Sequence, residues 1–391
     1  HLDGARTYQP DPAVTHDLQV LRAAEDARWL LNAGYTTVRD AGSRIALSLR
    51  EAIREGTAPG PRIFAAGPII SQTGGHADVH YLPLEEALSR GHSLLADGPD
   101  QCRRAVRIAV REGADLIKIC TTGGVGSQKD SQHDAHFTSA EIEAIVDEAH
   151  RLGRRVAAHA QGAAGVKNAL RAGVDSIEHG YFLDEEAVRL FRERGAGGAG
   201  GGAGAGAGRG AGAGAGAGGG AGAGAGAGAG QAGNPVGSIA WYVPTLALAE
   251  VYKKALDNPF DMPEWRLRKQ REAFDAMRRS FEMAVEAGLP IATGSDYAGI
   301  PLRRHGDNAD EIVTMVAYGM EPLAAIRAAT LNAAAVIGIE QEVGSVEAGK
   351  LADLVAIRED PLARITALKD GVAWVMQAGR TVAGADVLAS V

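Results

Sequence analysis

Seven short, apolar-rich runs recur along the chain, and each is followed by a stretch with helical spacing. The runs are TTVRDAG (36–42), PRIFAAG (61–67), DLIKIC (115–120), RRVAAHA (154–160), DSIEHG (175–180), WYVPTL (241–246) and PIATGSD (290–296). Between them, SAEIEAIVDEAHRLG (139–153) opens at a capping-type Ser139 and stops at Gly153, and AAGVKNALRAG (163–173) repeats the same amphipathic spacing. Strand–helix alternation of this kind predicts an α/β fold with a parallel sheet. An eighth strand ending at His1 would close it into a TIM (β/α)8 barrel. Beyond Asp296 the pattern predicts helices over 308–319 and 322–338. It then predicts β structure over 344–357 and a strand pair over 372–382 that turns at Gly379. A tail of this length, 341–391, is too short to hold a sheet alone. It is expected to form a small accessory β-sandwich with residues that precede His1, beside a barrel spanning 1–340.

One segment breaks the pattern. From Gly195 to Gly230 every residue is Gly or Ala except Arg209. Such a stretch has no apolar face to bury and is costly to order, so the insertion over 195–233 reads as a linker or a sequence artefact. It falls in a helix-to-strand connection, on the barrel face opposite the catalytic one, where long loops cost little. It is expected to be dispensable for activity.

Composition narrows the function. The 391 residues are 46% hydrophobic, enough for a large core, and the net charge of −8 comes from both signs spread along the chain. A nucleic-acid partner would need a basic face, which this lacks. Two distant cysteines, Cys102 and Cys120, can build neither a disulfide framework nor a cysteine-based zinc site. They suit a reducing compartment, and the cytoplasm is the expected location. No run of eighteen apolar residues predicts a membrane span. The chain opens on His1 rather than Met, so an earlier segment, which could include an export signal, is expected to be missing. Without it the chain is expected to fold poorly or lack activity.

Lys118 is the first chemical anomaly. It stands in the middle of an otherwise apolar strand, where an unpartnered ammonium is expensive to bury. Catalytic groups in such barrels gather at the C-terminal ends of the strands. His1, Lys118, His159, His179 and Asp296 all fall at or near those ends, and His76 lies in the loop SQTGGHADVHY (71–81). Three histidines, an aspartate and a buried lysine at equivalent positions of one repeat form a pattern that none of them forms alone. Imidazole and carboxylate ligands suit zinc and related divalent metals.

These stretches resemble the amidohydrolase superfamily over most of the chain. The most similar branch is the imidazolonepropionase-like group that includes Xaa-Pro dipeptidases. The resemblance rests on HLDG (1–4), TGGHAD (73–78), LIKICTTGGVGS (116–127), VAAHAQG (156–162), SIEHG (176–180), TGSD (293–296) and GKLADLVAI (349–357). His1-Leu2 looks like the second half of the His-x-His pair that opens such barrels. The resemblance implies two divalent metal ions, zinc by preference, with His1 and Asp296 on the first and His159 and His179 on the second. Lys118, carboxylated by CO2, would bridge both. It further implies a metal-bridging hydroxide as nucleophile, Asp296 as proton shuttle, and His76 as a hydrogen-bond partner of the substrate carbonyl. Gly74 and Gly75 would let the His76 loop approach closely.

The expected reaction is hydrolysis of an amide bond in a small, carboxylate-bearing substrate such as a dipeptide or N-acyl amino acid. A cyclic amide, carbamate or urea is the alternative substrate, and a non-catalytic barrel scaffold the alternative class. The expected partner is the small-molecule substrate, with neither nucleic acid nor membrane, and self-association into a homo-oligomer is left open. Tyr181, His80 and Tyr81 are further candidates for the cleft. Gly123 and Gly124, in TTGGVGS (121–127), could form a backbone nest for a substrate carboxylate. Cys120 shares the face of Lys118 and reads as packing. His133, His136, His150 and His305 have no partner assignable from sequence.

Overall fold

A computed structural model describes residues 1–6, 14–80, 82–90, 93–198, 236, 238–259, 262–299 and 302–384. Tyr81 and most of the Gly/Ala insertion lie outside these residues.

The strands are β1 (Thr37–Asp40), β2 (Arg62–Ala65), β3 (Ile69–Ser71), β4 (Ser93–Leu95), β5 (Leu116–Cys120), β6 (Arg155–Gly162), β7 (Ser176–Phe182) and β8 (Trp241–Val243). A tail sheet follows, with β9 (Leu354–Ile357), β10 (Val372–Gln377) and β11 (Arg380–Ala383). Six strands form a parallel sheet in the order β4-β3-β5-β6-β7-β8, and β1 pairs parallel with β2. A backbone bond from Asp115 N to Ala65 O (2.8 Å) sets β2 beside the start of β5, so the two sheets follow one another around the molecule. Every residue of β5 is buried, as expected for a strand covered on both faces.

The expected strand at 290–296 is reduced to a single parallel bridge between Ile291 and Tyr242. Pro290 offers no N–H to a ladder, and among the described residues only β8 pairs alongside. Among the described residues no strand joins this edge to β1, so backbone pairing does not close the wall there. Residues 1–3 cross the upper end of the opening. Leu2 N donates to the buried Asp40 carboxylate (2.6 Å) and His1 N to Tyr297 O (2.8 Å). The result is a mixed α/β fold with a parallel, TIM-barrel-like sheet.

Helices cover the outside. Ser139–Arg151 begins one residue earlier than its sequence suggests. Thr138 is the N-cap, and Glu141 completes a capping box. The segment expected as one helix over 322–338 is two, Pro322–Ala329 and Leu331–Ile337, broken at Thr330. The described tail forms one three-stranded antiparallel sheet, in the order β11-β10-β9. It docks through the Arg62–Asp353 ion pair and a bond from Gln377 Nε2 to Thr36 O (2.8 Å). Leu351 and Val355 remain exposed on it.

Candidate active site

The strand register does most of the assembly. Cys120 pairs with His159 and Ala160 with His179, which sets the C-terminal ends of β5, β6 and β7 side by side. His1, His76, Lys118, His159, His179 and Asp296 all line one cavity of about 1240 Å³. His159 and His179 meet edge to face with ring centroids 4.6 Å apart. His1 Nε2 lies 3.4 Å from Asp296 Oδ1. His76 stacks on His159 at 4.0 Å, nearly parallel. A Cβ on Gly124 would drive into the His76 ring, which explains glycine there.

Three strand-end residues hold left-handed backbone without being glycine: His179 (φ 78°), Thr245 (φ 54°) and Asp296 (φ 52°). Such residues cost about 1–3 kcal/mol each and gather at functional sites. Here they re-aim side chains at the ends of β7, β8 and the Ile291 segment. The turn at His179 and Gly180 also carries Tyr181 away from the cavity. It is wholly buried, and its hydroxyl shares Thr245 Oγ1 with His179 Nδ1, each at 2.9 Å. Tyr181 therefore stands behind His179 instead of facing the cleft.

Hydrogen bonds also show which imidazole nitrogens are engaged. His159 Nε2 bonds the Gly123 carbonyl (3.1 Å), leaving Nδ1; His179 Nδ1 bonds Thr245, leaving Nε2. Burial pushes His159 far below the usual imidazole range and His179 down to about 4, so both rings are neutral at pH 7 and suited to ligate a cation. Burial opposes the charge on both His1 and Asp296. The bond between them outweighs this, raising His1 to about 9 and holding the Asp296 carboxyl well below its ordinary range.

Lys118 is buried in the cavity wall, and among the described residues its ammonium makes no hydrogen bond or ion pair. Desolvation lowers its pKa against the attraction of Glu178. That carboxylate is taken up by Arg39, at 2.8 and 2.9 Å, and by Ser176 at 2.6 Å. Among the described residues no three His, Cys, Asp or Glu side chains converge on one point. The donors stand as two pairs, His1 with Asp296 and His159 with His179, with the Lys118 amine in the wall of the same cavity.

Several candidates have structural partners instead. Gly123 N donates to Asp134 O (3.1 Å) and Gly124 N to Asp130 Oδ1 (3.3 Å), so the chain's own acceptors occupy the proposed nest. His80 bonds Gly75 O, His133 bonds Glu272, His150 bonds Asp175 and His305 bonds His1 O. His136 is buried with its Nδ1 unbonded among the described residues. Cys120 is buried, and burial lifts its thiol to about 12, which suits packing and not nucleophilic attack.

Sequence reasoning missed Arg303, which donates to Asp296 O (3.1 Å), and the cavity-lining Arg266, Gln270 and Gln161. Arg266 and Gln270 are four apart on the helix Glu264–Glu286, a spacing that puts both on one face. Nothing in the sequence separates that spacing from an ordinary solvated face.

Glu311 was missed as well. It is buried at 1% exposure, accepts from Ala247 N (2.6 Å), and has its other oxygen unbonded among the described residues. Burial raises its carboxyl from 4.5 to about 8, against the pull of backbone donors including Ala247 and Leu246. A raised folded-state pKa contributes stability below 4.5 that is lost as pH climbs through about 8. The Tm of Glu311→Gln minus that of the wild type is therefore expected to grow across this window and level off above it. Thermal melts in a pH series check this, and a gap that ignores pH would remove the assignment.

The parallel α/β sheet thus gathers neutral imidazoles, a carboxylate and a buried amine at its strand ends. The Amidohydrolase family model matches residues 13–382. Ochratoxinase of Aspergillus niger is 30% identical over 407 residues, covering 98% of this chain and 74% of that protein. Its crystal structure superposes with a TM-score of 0.79 at 29% identity, covering 98% of this chain and 81% of that one. A Xaa-Pro dipeptidase crystallised with methionine in its active site gives a TM-score of 0.78 at 35% identity, covering 96% and 82%. The chain belongs to the amidohydrolase family and is an enzyme that hydrolyses carbon–nitrogen bonds. Divalent metals are general in this family, and the donor pairs here are of the matching chemistry. Among the described residues no helix is long and apolar enough to cross a membrane.

Proposed function

We propose that the enzyme is a binuclear amidohydrolase that cleaves the amide bond of a small substrate bearing a free carboxylate, a dipeptide or N-acyl amino acid. The observation that carries this reading is Lys118, a buried amine without a hydrogen-bond partner among the described residues, in the cavity that holds both donor pairs. As an ammonium it cannot ligate. Its low pKa frees the neutral amine that adds CO2, and a carbamate would offer one oxygen to each pair. His1 and Asp296 would hold one cation and His159 and His179 the other, zinc being the expected metal. When bound, the two ions supply Lewis acidity and acidify water enough to serve as nucleophile near neutral pH.

The chain's own groups do the rest. Asp296, ionised and steadied by His1 and Arg303, accepts the proton of the attacking water and returns it to the leaving amine. His76 contacts the substrate from the loop after β3. Arg266, with Gln270 and Gln161 on the same cavity, meets the carboxylate. The methionine held in the active site of the related Xaa-Pro dipeptidase supports a substrate with an amino-acid part. In the same reading residues 1–340 make up the (β/α)8 barrel unit, and 341–391 belong to a composite accessory β domain.

A panel of dipeptides and N-acyl amino acids, assayed beside lactams, carbamates and phenylureas, tests the substrate class. Turnover is expected for the first two groups. Turnover confined to the last three would replace the carboxylate reading with the alternative one.

A further inference from the structure

His76 sits on the loop after β3 and is held there by a chain of buried polar contacts. Its Nδ1 lies 2.8 Å from Ser127 Oγ. Ser127 Oγ in turn donates to Asp130 Oδ1 (2.5 Å), and Lys269 Nζ lies 3.2 Å from the same oxygen. Lys269, 7% exposed on the helix Glu264–Glu286, also donates to the carbonyls of Gly124 (3.0 Å), Ser127 (2.7 Å) and Asp130 (2.5 Å). One ammonium thus gathers the whole turn that carries Ser127 and Asp130.

Hydrogen counting settles the direction of the chain. A serine hydroxyl has a single hydrogen, and an ionised carboxylate only accepts. Burial opposes the charge on Asp130, but the Ser127 hydroxyl and the Lys269 ammonium beside it hold the carboxyl below its ordinary range. Two oxygen acceptors lie within reach of the Ser127 hydrogen, the Asp130 carboxylate at 2.5 Å and the Gly124 carbonyl at 3.4 Å; the nearer, charged one takes it, and the Ser127 oxygen is left to accept from His76 Nδ1–H. The opposite nitrogen, Nε2, has no hydrogen-bond partner among the described residues, and His76 lines the cavity. In the neutral ring this tautomer leaves a lone pair on Nε2.

We propose that Ser127 and Asp130, anchored by Lys269, are positioning residues that fix the orientation and tautomer of His76 and present Nε2 to the substrate as an acceptor. This revises the expectation that His76 hydrogen-bonds the substrate carbonyl, which would need a proton on Nε2. It rests on the amide-hydrolase reading for its kinetic test but not for its spectroscopic one.

The test combines a tautomer measurement with a double-mutant cycle on the metal-loaded enzyme. In wild type, 15N NMR of the His76 ring is expected to show Nδ1 protonated and Nε2 bare at neutral pH. Ser127→Ala and Asp130→Asn should each lower kcat/KM by about 10- to 100-fold, the range for partners that orient an active-site histidine, with metal content unchanged. Added to His76→Gln they should cost less than about twofold more, because they act through that ring. Ser127→Thr, which keeps the hydroxyl, should recover most of the loss and confirm that the alanine variant is folded. A proton on Nε2 in place of Nδ1 would overturn the proposal. So would full additivity with His76→Gln, or wild-type activity in His76→Gln. If the wild type hydrolyses no amide, the amide reading fails while the tautomer result still decides the proposal.

Discussion

Lys118→Ala is expected to lower the metal content from two ions per chain to one or none, and to lower kcat/KM by at least ~10³-fold. The magnitude follows from the several kcal/mol that a metal ion contributes to such hydrolyses. The position is unusual because Lys118 lies inside β5, buried, with Glu178 turned to Arg39 and Ser176. A purely structural lysine would be expected to claim that carboxylate. Elemental analysis of enzyme produced with added zinc and bicarbonate, run beside the kinetics, checks the prediction. One ion per chain, unchanged by the substitution, would mean a mononuclear enzyme with Lys118 structural. No metal in the wild type would remove the metal-assisted reading altogether.

The second large effect is at Asp296. Asp296→Asn keeps the size of the side chain but removes the ionised acceptor that His1 and Arg303 stabilise. Loss of a positioned general base costs about 10²- to 10⁴-fold, so kcat should fall by that amount while KM changes within a few-fold. Because Asn stays in the left-handed backbone region with little penalty, the φ of 52° at this position gives the variant no reason to misfold. A variant retaining more than about a tenth of wild-type kcat would show that the proton moves elsewhere, with His76 the first place to look.

The residues that gather at the cavity stood out in the sequence because parallel strands buried on both faces leave apolar runs that are easy to see. Lys118, His159 and His179 interrupt such runs. The elements that were missed lacked that signal. β3 and β4 are three residues each, too short for any periodicity. The break at Thr330 leaves the helical spacing of 322–338 almost intact, and only its backbone (φ −122°, ψ −90°) reveals it. Tyr181 looked like a neighbour of His179 on the cleft, but the left-handed turn at His179 and Gly180 reverses where it goes. The His76–Ser127–Asp130–Lys269 chain joins segments up to 193 positions apart in sequence order, from His76 to Lys269. No local pattern encodes a contact of that range.

Lys269 has a consequence for how this enzyme could be altered. The helix Glu264–Glu286 brings Arg266 and Gln270 to the cavity wall and, through Lys269, grips the turn that carries Ser127 and Asp130. In the proposed reading, recognition and reactivity are therefore mounted on one helix. An engineer who shifts this helix to admit a bulkier substrate also moves the Ser127–Asp130 support. Broadened selectivity and slowed turnover should then appear together, unless the turn at 124–130 is redesigned in the same step.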